Sequence, residues 1–173
     1  MDYKKIIRSV PDFPKAGINF KDITTLVRNA DALKQSCKEL AEKFRSNKID
    51  AVAGIESRGF IFGALVASEL DVGFIPVRKP GKLPAETISA SYELEYGHNV
   101  LHMHTDAVEK GQRILIVDDL MATGGTLGAT CELIENLGGM VAGIAVVIEL
   151  TFLGGREKLK SYEVVSLVTY DQE

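Results

Sequence analysis

Ile114-Leu115-Ile116-Val117-Asp118-Asp119-Leu120-Met121-Ala122-Thr123-Gly124-Gly125-Thr126 is a run of branched and apolar residues that passes into two adjacent acids and then a glycine-rich turn. A continuous apolar run suits a parallel strand buried on both faces. Behind the turn, Leu127, Cys131, Ile134 and Leu137 recur at helical spacing, and Gly138-Gly139 stops the helix. The segment is strand, loop, helix, with Ala122 to Thr126 at the helix N-terminus. Unpaired amides and the positive end of the helix dipole favour a phosphate there. Gly124 and Gly125 let the backbone approach closely, and Thr123 and Thr126 add hydroxyl donors. Asp118 and Asp119, at the carboxyl end of the strand, can accept hydrogen bonds from vicinal hydroxyls. One short segment can therefore grip a ribose and its phosphate.

An ordinary turn with a helix cap would also place acids before Gly-Gly. The coincidence of acids, threonines and glycines at one strand end favours the phosphate grip. The usual nucleotide fingerprints do not compete. Gly54 to Gly59 has the glycine spacing of a Walker loop, but Phe60-Ile61 stand where Lys and Ser or Thr belong, and no Gly-x-Gly-x-x-Gly occurs.

With 173 residues and 46% hydrophobic content, the chain can form one domain whose core needs neither disulfides nor metals. A net charge of -4 argues against general nucleic-acid binding. Positive charge is nevertheless concentrated at Arg58, Arg78, Lys79 and Lys82, which suits a small polyanion. No signal peptide or membrane helix is visible, since the longest apolar run, Met140 to Ile148, is too short to span a bilayer. A cytoplasmic protein is expected, with Cys37 and Cys131 as small core residues on helix faces.

The remaining pattern predicts a helix over Ala30 to Phe44, a buried strand over Ala51 to Ile55, and a turn at Glu56 to Gly59. A helix ending near Leu70 and a strand over Gly73 to Val77 follow. From Ile88 to Met103, two extended segments flank Tyr96-Gly97-His98-Asn99 and read as a β-hairpin, a candidate lid. Val141 to Ile148 and Val164 to Val168 complete the strands. Alternating strands and helices predict an α/β fold, a mostly parallel sheet flanked by helices.

Ligands of such sheets bind at the carboxyl ends of strands. There, Ser57-Arg58-Gly59 forms a second candidate anion site, with helix-start amides beside an arginine. Arg78 and Lys79 follow the third strand, one a rigid fork and the other a mobile point charge. Phe20, between Asn19 and Lys21, offers an aromatic face, although such a residue is commonly core. Glu93 and Glu95 read, from the residues alone, as two acids on one face of an exposed strand. His102 and His104 share a strand face without an apparent third metal ligand.

Val117-Asp118-Asp119 with Ala122 to Thr126 resembles the phosphoribosyl diphosphate motif of type I phosphoribosyltransferases. Four further stretches resemble the adenine-specific members of that family: Phe13 to Ile23, Glu56 to Phe60, Pro76 to Pro84, and Ser91 to Gly97. They keep the family's order across nearly the whole chain.

The resemblance implies a single domain over residues 1–173, with a hood and base-site segment at 1–30 and a flexible hairpin lid at 84–105. It implies that Asp118 and Asp119 hold the ribose and Ala122, Thr123, Gly124, Gly125 and Thr126 the 5-phosphate. Ser57, Arg58, Gly59, Arg78, Lys79 and Lys82 would meet the diphosphate, the backbone at Ser57-Arg58-Gly59 often being held strained or cis in relatives. Asn19, Phe20 and Lys21 would read adenine, mainly through backbone groups, above a floor of Leu120 and Met121. Guanine, with the opposite donor and acceptor pattern, would leave buried polar groups unpaired. Glu95 and Tyr96 would occupy the catalytic lid position beside Arg58, with Glu95 handling the purine proton.

Mg2+ is implied as a substrate-borne ion, with no direct protein ligand cage. A homodimer is implied too, with Arg78 or Lys79 near the neighbouring site. The expected activity gives AMP and diphosphate from adenine and phosphoribosyl diphosphate. Two alternatives stand beside it: a regulator that binds phosphoribosyl diphosphate as a signal, and a transferase for another purine. A regulator is expected to carry a nucleic-acid-binding element, and the chain starts almost directly at the base-site motif.

Overall fold

The computed structural model describes residues 1–93 and 98–172. The order of elements begins with helix α1 (Tyr3–Ile6), strands β1 (Arg8–Val10) and β2 (Phe20–Asp22), and helices α2 (Thr24–Arg28) and α3 (Ala30–Phe44). Next come β3 (Ala51–Ile55), α4 (Arg58–Leu70), β4 (Gly73–Val77), β5 (Thr87–Glu93) and β6 (His98–His104). The chain continues through β7 (Arg113–Met121), α5 (Gly125–Asn136), β8 (Met140–Leu150), α6 (Gly155–Lys158) and β9 (Val164–Tyr170).

Five strands form one parallel sheet in the order β4-β3-β7-β8-β9. The opening motif supplies its centre. Ile114 and Ile116 point into a core shared with Leu127, Cys131 and Ile134 of α5, and Leu115 and Val117 into a second core with Leu40 and Phe44 of α3 and Phe62 of α4. Both faces are thus covered, which is why this strand reads as unbroken apolar sequence rather than as an alternation. Helix α3 has the bounds the periodicity predicts, and its first turn is fixed by Asn29, whose side chain accepts from the Ala32 N–H at 3.1 Å. Cys37 and Cys131 are buried core residues, as expected, and burial pushes their thiols up to about 11 and about 12.

Two differences from expectation concern the site. The hairpin strands are register-locked, with Glu93 opposite His98 and Tyr92 opposite Asn99, so His98 and Asn99 lie in β6 and not in a turn. Ala90, Leu101 and Met103 are buried in the α5-side core. The strands β5 and β6 are therefore part of the wall, because alternate residues found an apolar surface to cover. Separately, β1 and β2 pair antiparallel outside the main sheet, making a small hood. Arg8 pairs with Asp22 across that hood, and the Asp22 carboxylate also accepts from the Thr24 amide at 2.9 Å.

Candidate active site

Strand β7 runs on through both acids as far as Met121, and α5 begins at Gly125. Between them, Ala122 to Gly125 turns the chain so that the first amides of α5 face the carboxyl end of the sheet. Gly124 makes that turn with φ of +77°, a left-handed conformation that side chains rarely adopt. A cleft of about 400 Å3 opens there, lined by Ala122, Thr123, Gly124, Gly125 and Thr126 together with Asp118, Asp119, Leu120 and Met121. Every residue assigned from sequence to ribose and 5-phosphate lines one cavity.

Across the cleft stand Ser57, Arg58 and Lys79. The Glu56-Ser57 peptide is cis, a feature residue types do not reveal. Arg58 begins α4, inside what the sequence presents as a turn, and its Nε donates to Asp119 Oδ2 at 2.5 Å. The Asp119 side chain is 6% exposed and that of Arg58 52%, so the arginine reaches down from solvent onto a buried carboxylate. Burial acts against the Arg58 charge, but the bond to Asp119 and the nearby acids outweigh it and raise its pKa. Asp118 is buried beside this pair. Desolvation, then the charge of Asp119, hold its carboxyl well above the usual range, although Oδ1 accepts the Asp119 amide at 2.9 Å.

Gly59 is not among the residues that line the cleft. It lies beneath the site, where a Cβ would fall 2.7 Å from Asp118 Oδ1 and 3.0 Å from the Val117 carbonyl oxygen. Its missing side chain lets the start of α4 press against the acids. Arg78 and Lys82 are likewise outside the cleft lining. Arg78 Nε donates to Glu56 Oε2 at 3.0 Å and its Nη1 to the Lys82 carbonyl at 3.1 Å. The same Glu56 oxygen accepts the Lys79 amide at 2.9 Å. The half-buried Glu56 carboxylate thus holds the arginine that the sequence offered to diphosphate, and of the three cations Lys79 lines the cavity.

The hood supplies the other end. Phe20 packs edge-on against Phe13, with centroids 5.2 Å apart, and lines an apolar cup with Val10 and Phe13. The Arg58 guanidinium lies 6.0 Å from the Phe20 centroid, so one residue stands between cup and cleft. Lys21 alternates to the opposite face: its Nζ lies 4.6 Å from the Tyr170 ring centroid, and burial lowers its pKa. Only its backbone is left for a base-reading role. Asn19 Oδ1 is buried without a hydrogen-bond partner among the described residues.

Glu95 and Tyr96 lie outside the described residues. Tyr92 and Asn99 also line the cleft, although sequence reasoning assigns neither a site role. Tyr92 covers Gly125, where a Cβ would meet its ring at 2.9 Å, and Asn99 Nδ2 donates to the Tyr92 hydroxyl at 3.2 Å. Their opposition across β5 and β6 depends on hairpin register, which residue types alone do not give.

This arrangement, a glycine-rich loop at the end of a central parallel strand with acids before it and an arginine opposite, has the form that a sugar-phosphate transferase requires. Residues 25–171 match the model of the phosphoribosyl transferase domain, and the chain belongs to that family. Adenine phosphoribosyltransferase of Clostridium perfringens is 57% identical over 171 residues, covering 99% of both chains. The crystal structure of adenine phosphoribosyltransferase from Thermoanaerobacter pseudethanolicus is 55% identical with a TM-score of 0.94, over 96% of this chain and 97% of that one. The enzyme from Saccharomyces cerevisiae, crystallised with an imino-altritol bisphosphate and adenine, is 41% identical with a TM-score of 0.90, over 95% and 96%.

Proposed function

We infer that this protein transfers the 5-phosphoribosyl group of phosphoribosyl diphosphate to adenine, giving AMP and diphosphate. The observation that carries the reading is the single cleft in which Asp118, Asp119 and the Ala122 to Thr126 loop face Arg58. In the reaction, a ring nitrogen of adenine bonds to the anomeric carbon as the bond from that carbon to the diphosphate oxygen breaks. The nitrogen loses its proton, and the diphosphate leaves with the bonding pair.

In this reading the loop amides hold the 5-phosphate and fix the sugar, so that little beyond electrostatics is asked of the protein. Arg58 is the cation nearest both leaving group and base. Ribose hydroxyls compete for Asp119 and free its guanidinium to meet diphosphate charge. Lys79 and the Ser57 to Gly59 amides complete that anion site. Phe20 stacks on adenine, backbone groups of Asn19 and Lys21 read its edge, and Leu120 and Met121 form the floor.

Glu95 takes the purine proton in the forward direction and returns it in the reverse, and Tyr96 helps cover the ribose. Glu95→Gln therefore lowers kcat about a hundredfold and removes one limb of its pH profile, while the KM for phosphoribosyl diphosphate stays within about twofold. A loss confined to KM would take Glu95 out of proton transfer.

Mg2+ belongs to this reading as an ion carried by the substrate's oxygens. The cleft's carboxylates and hydroxyls suit a hard cation that keeps part of its water shell, and Asp118 and Asp119 are acids that would face it. When bound, it neutralises charge on the departing diphosphate. No described helix is long and apolar enough to cross a membrane. A cytoplasmic homodimer is proposed, and the exposed Ile61 and Leu65, one turn apart on α4, support an interface between copies.

A diphosphate-release assay with Mg2+, phosphoribosyl diphosphate and each nucleobase in turn tests the reading. Release with adenine alone is expected. Release with hypoxanthine, guanine or xanthine instead would overturn the base assignment, and tight binding of phosphoribosyl diphosphate without turnover would favour a regulator.

A further inference from the structure

Behind the phosphate loop, on the side away from the cleft, lies the short turn that leads into α6. A Cβ on Gly124 would sit 2.6 Å from the Gly155 carbonyl oxygen, and a Cβ on Gly155 would sit 2.4 Å from the Ala122 carbonyl oxygen and 3.1 Å from the Gly124 nitrogen. Each glycine therefore occupies the space that a side chain on the other would need. The two backbones are in direct contact, and the α6 turn is the wall against which the loop rests.

What holds that wall is an ion pair. Arg156, next to Gly155, donates from Nε to Glu149 Oε1 at 2.6 Å and from Nη2 to Glu149 Oε2 at 2.7 Å, a two-pronged bond. Its Nη1 donates to the Val164 carbonyl at 3.0 Å, and the Ser166 hydroxyl donates to Glu149 Oε2 at 2.7 Å. Glu149 is 2% exposed and pairs in register with Met121, the last residue of β7 before the loop. The hydrogen bonds from Arg156, then from Ser166, hold its carboxyl below the usual range despite burial. The clamp thus ties α6 to the carboxyl end of β8 and to the first residues of β9, with Glu149 one strand away from where the loop departs.

We propose that Arg156 and Glu149 are positioning residues for the 5-phosphate, acting through the Gly155 backbone to fix the Ala122 to Gly125 loop. Neither touches the cleft. Amide donors hold a phosphate well only when their directions are set beforehand, and a loop with two glycines cannot set them by itself. The clamp supplies the missing constraint from behind. The proposal rests on the assignment of that loop to phosphate and says nothing of the base.

The test compares AMP with adenosine, which lacks the phosphate, by titration calorimetry on the full-length protein. In wild type, AMP binds more tightly than adenosine. Arg156→Met, which keeps the apolar stem, is expected to weaken AMP about tenfold and adenosine less than twofold. Arg156→Lys restores part of the loss, since a lysine keeps the charge but not the fork. Gly155→Ala leaves the ion pair intact and pushes on the loop directly, so it keeps the experiment decisive even if Arg156→Met fails to fold. It is expected to give the same phosphate-specific loss. In steady-state assays, the KM for phosphoribosyl diphosphate rises about tenfold in either variant while that for adenine stays within about twofold. Equal weakening of AMP and adenosine, or unchanged AMP affinity in Gly155→Ala, overturns the proposal. A wild type that binds the two ligands alike instead overturns the phosphate assignment itself, and the proposal with it.

Discussion

In the proposed reading, recognition at the phosphate end of the cleft falls to main-chain amides between Ala122 and Thr126, anchored by a central strand buried on both faces. At the hood end it falls, in the same reading, to Phe20 and its neighbours, on two strands of three residues each that pair with one another and are bridged by Arg8, Asp22 and Thr24. The first end can change few residues without losing its geometry, because backbone conformation is the recognition element. The second can change side chains freely so long as the hood stays docked. An enzyme that must keep one sugar donor and choose one base gains from this division. In that reading the common half is anchored in the central sheet, and the selective half is peripheral.

The division predicts a graded series of failures. The largest belongs to Gly124→Val, which places a branched side chain at a φ of +77° and against the Gly155 carbonyl. It should lower kcat/KM about a thousandfold through the phosphoribosyl diphosphate KM, read by steady-state kinetics. An unchanged KM would break the claim that this loop is the phosphate grip.

Arg58→Met comes next, since it removes a cation from the leaving group and also leaves Asp119, at 5% exposure, without its partner. About a hundredfold in kcat is expected, together with a lower melting temperature of the empty protein. Loss of stability without loss of kcat would make Arg58 a structural cap only. Phe20→Leu sharpens the comparison from the other side: the adenine KM should rise about tenfold and that of phosphoribosyl diphosphate less than twofold. If both rose together, the two ends would not be separable.

The smallest effect concerns the hood's own attachment. The Thr24 amide, then Arg8, draws the Asp22 carboxyl down to about 2 from an ordinary 3.8, so its contribution is present above pH 3.8 and is lost as pH falls toward 2. In Asp22→Asn, urea midpoints measured at pH 6, 4 and 3 should converge on wild type as pH falls. A gap that persisted at low pH would place the contribution elsewhere.

The same contrast governs what the sequence disclosed. Ile114 to Val117, the glycines after it and the helix behind were legible because each residue type answers to one physical requirement, whether burial, turn or dipole. Ala30 to Phe44 was legible for the same reason, with an amphipathic period and an asparagine cap. The pairing of Arg78 with the Glu56 carboxylate was not legible, because the two are remote in sequence and close in space. Glu149 and Arg156 were overlooked because the ion pair links a strand end to a short turn without any periodic pattern. The hood offered only an aromatic residue between two polar ones, and resemblance rather than residue chemistry singled it out. The match to the phosphoribosyl transferase domain begins at residue 25, beyond both hood strands. The portion proposed to choose the base thus lies outside the stretch matched to the common domain.

A crystal structure of the protein with AMP tests this account most directly. The 5-phosphate should lie on the amides of Ala122 to Thr126, the ribose hydroxyls on Asp118 and Asp119, and the adenine ring against Phe20 over Leu120, with Arg58 moved off Asp119. Phosphate at Ser57 to Gly59 with the loop empty, or adenine seated away from the hood, would contradict the division of labour between the two ends.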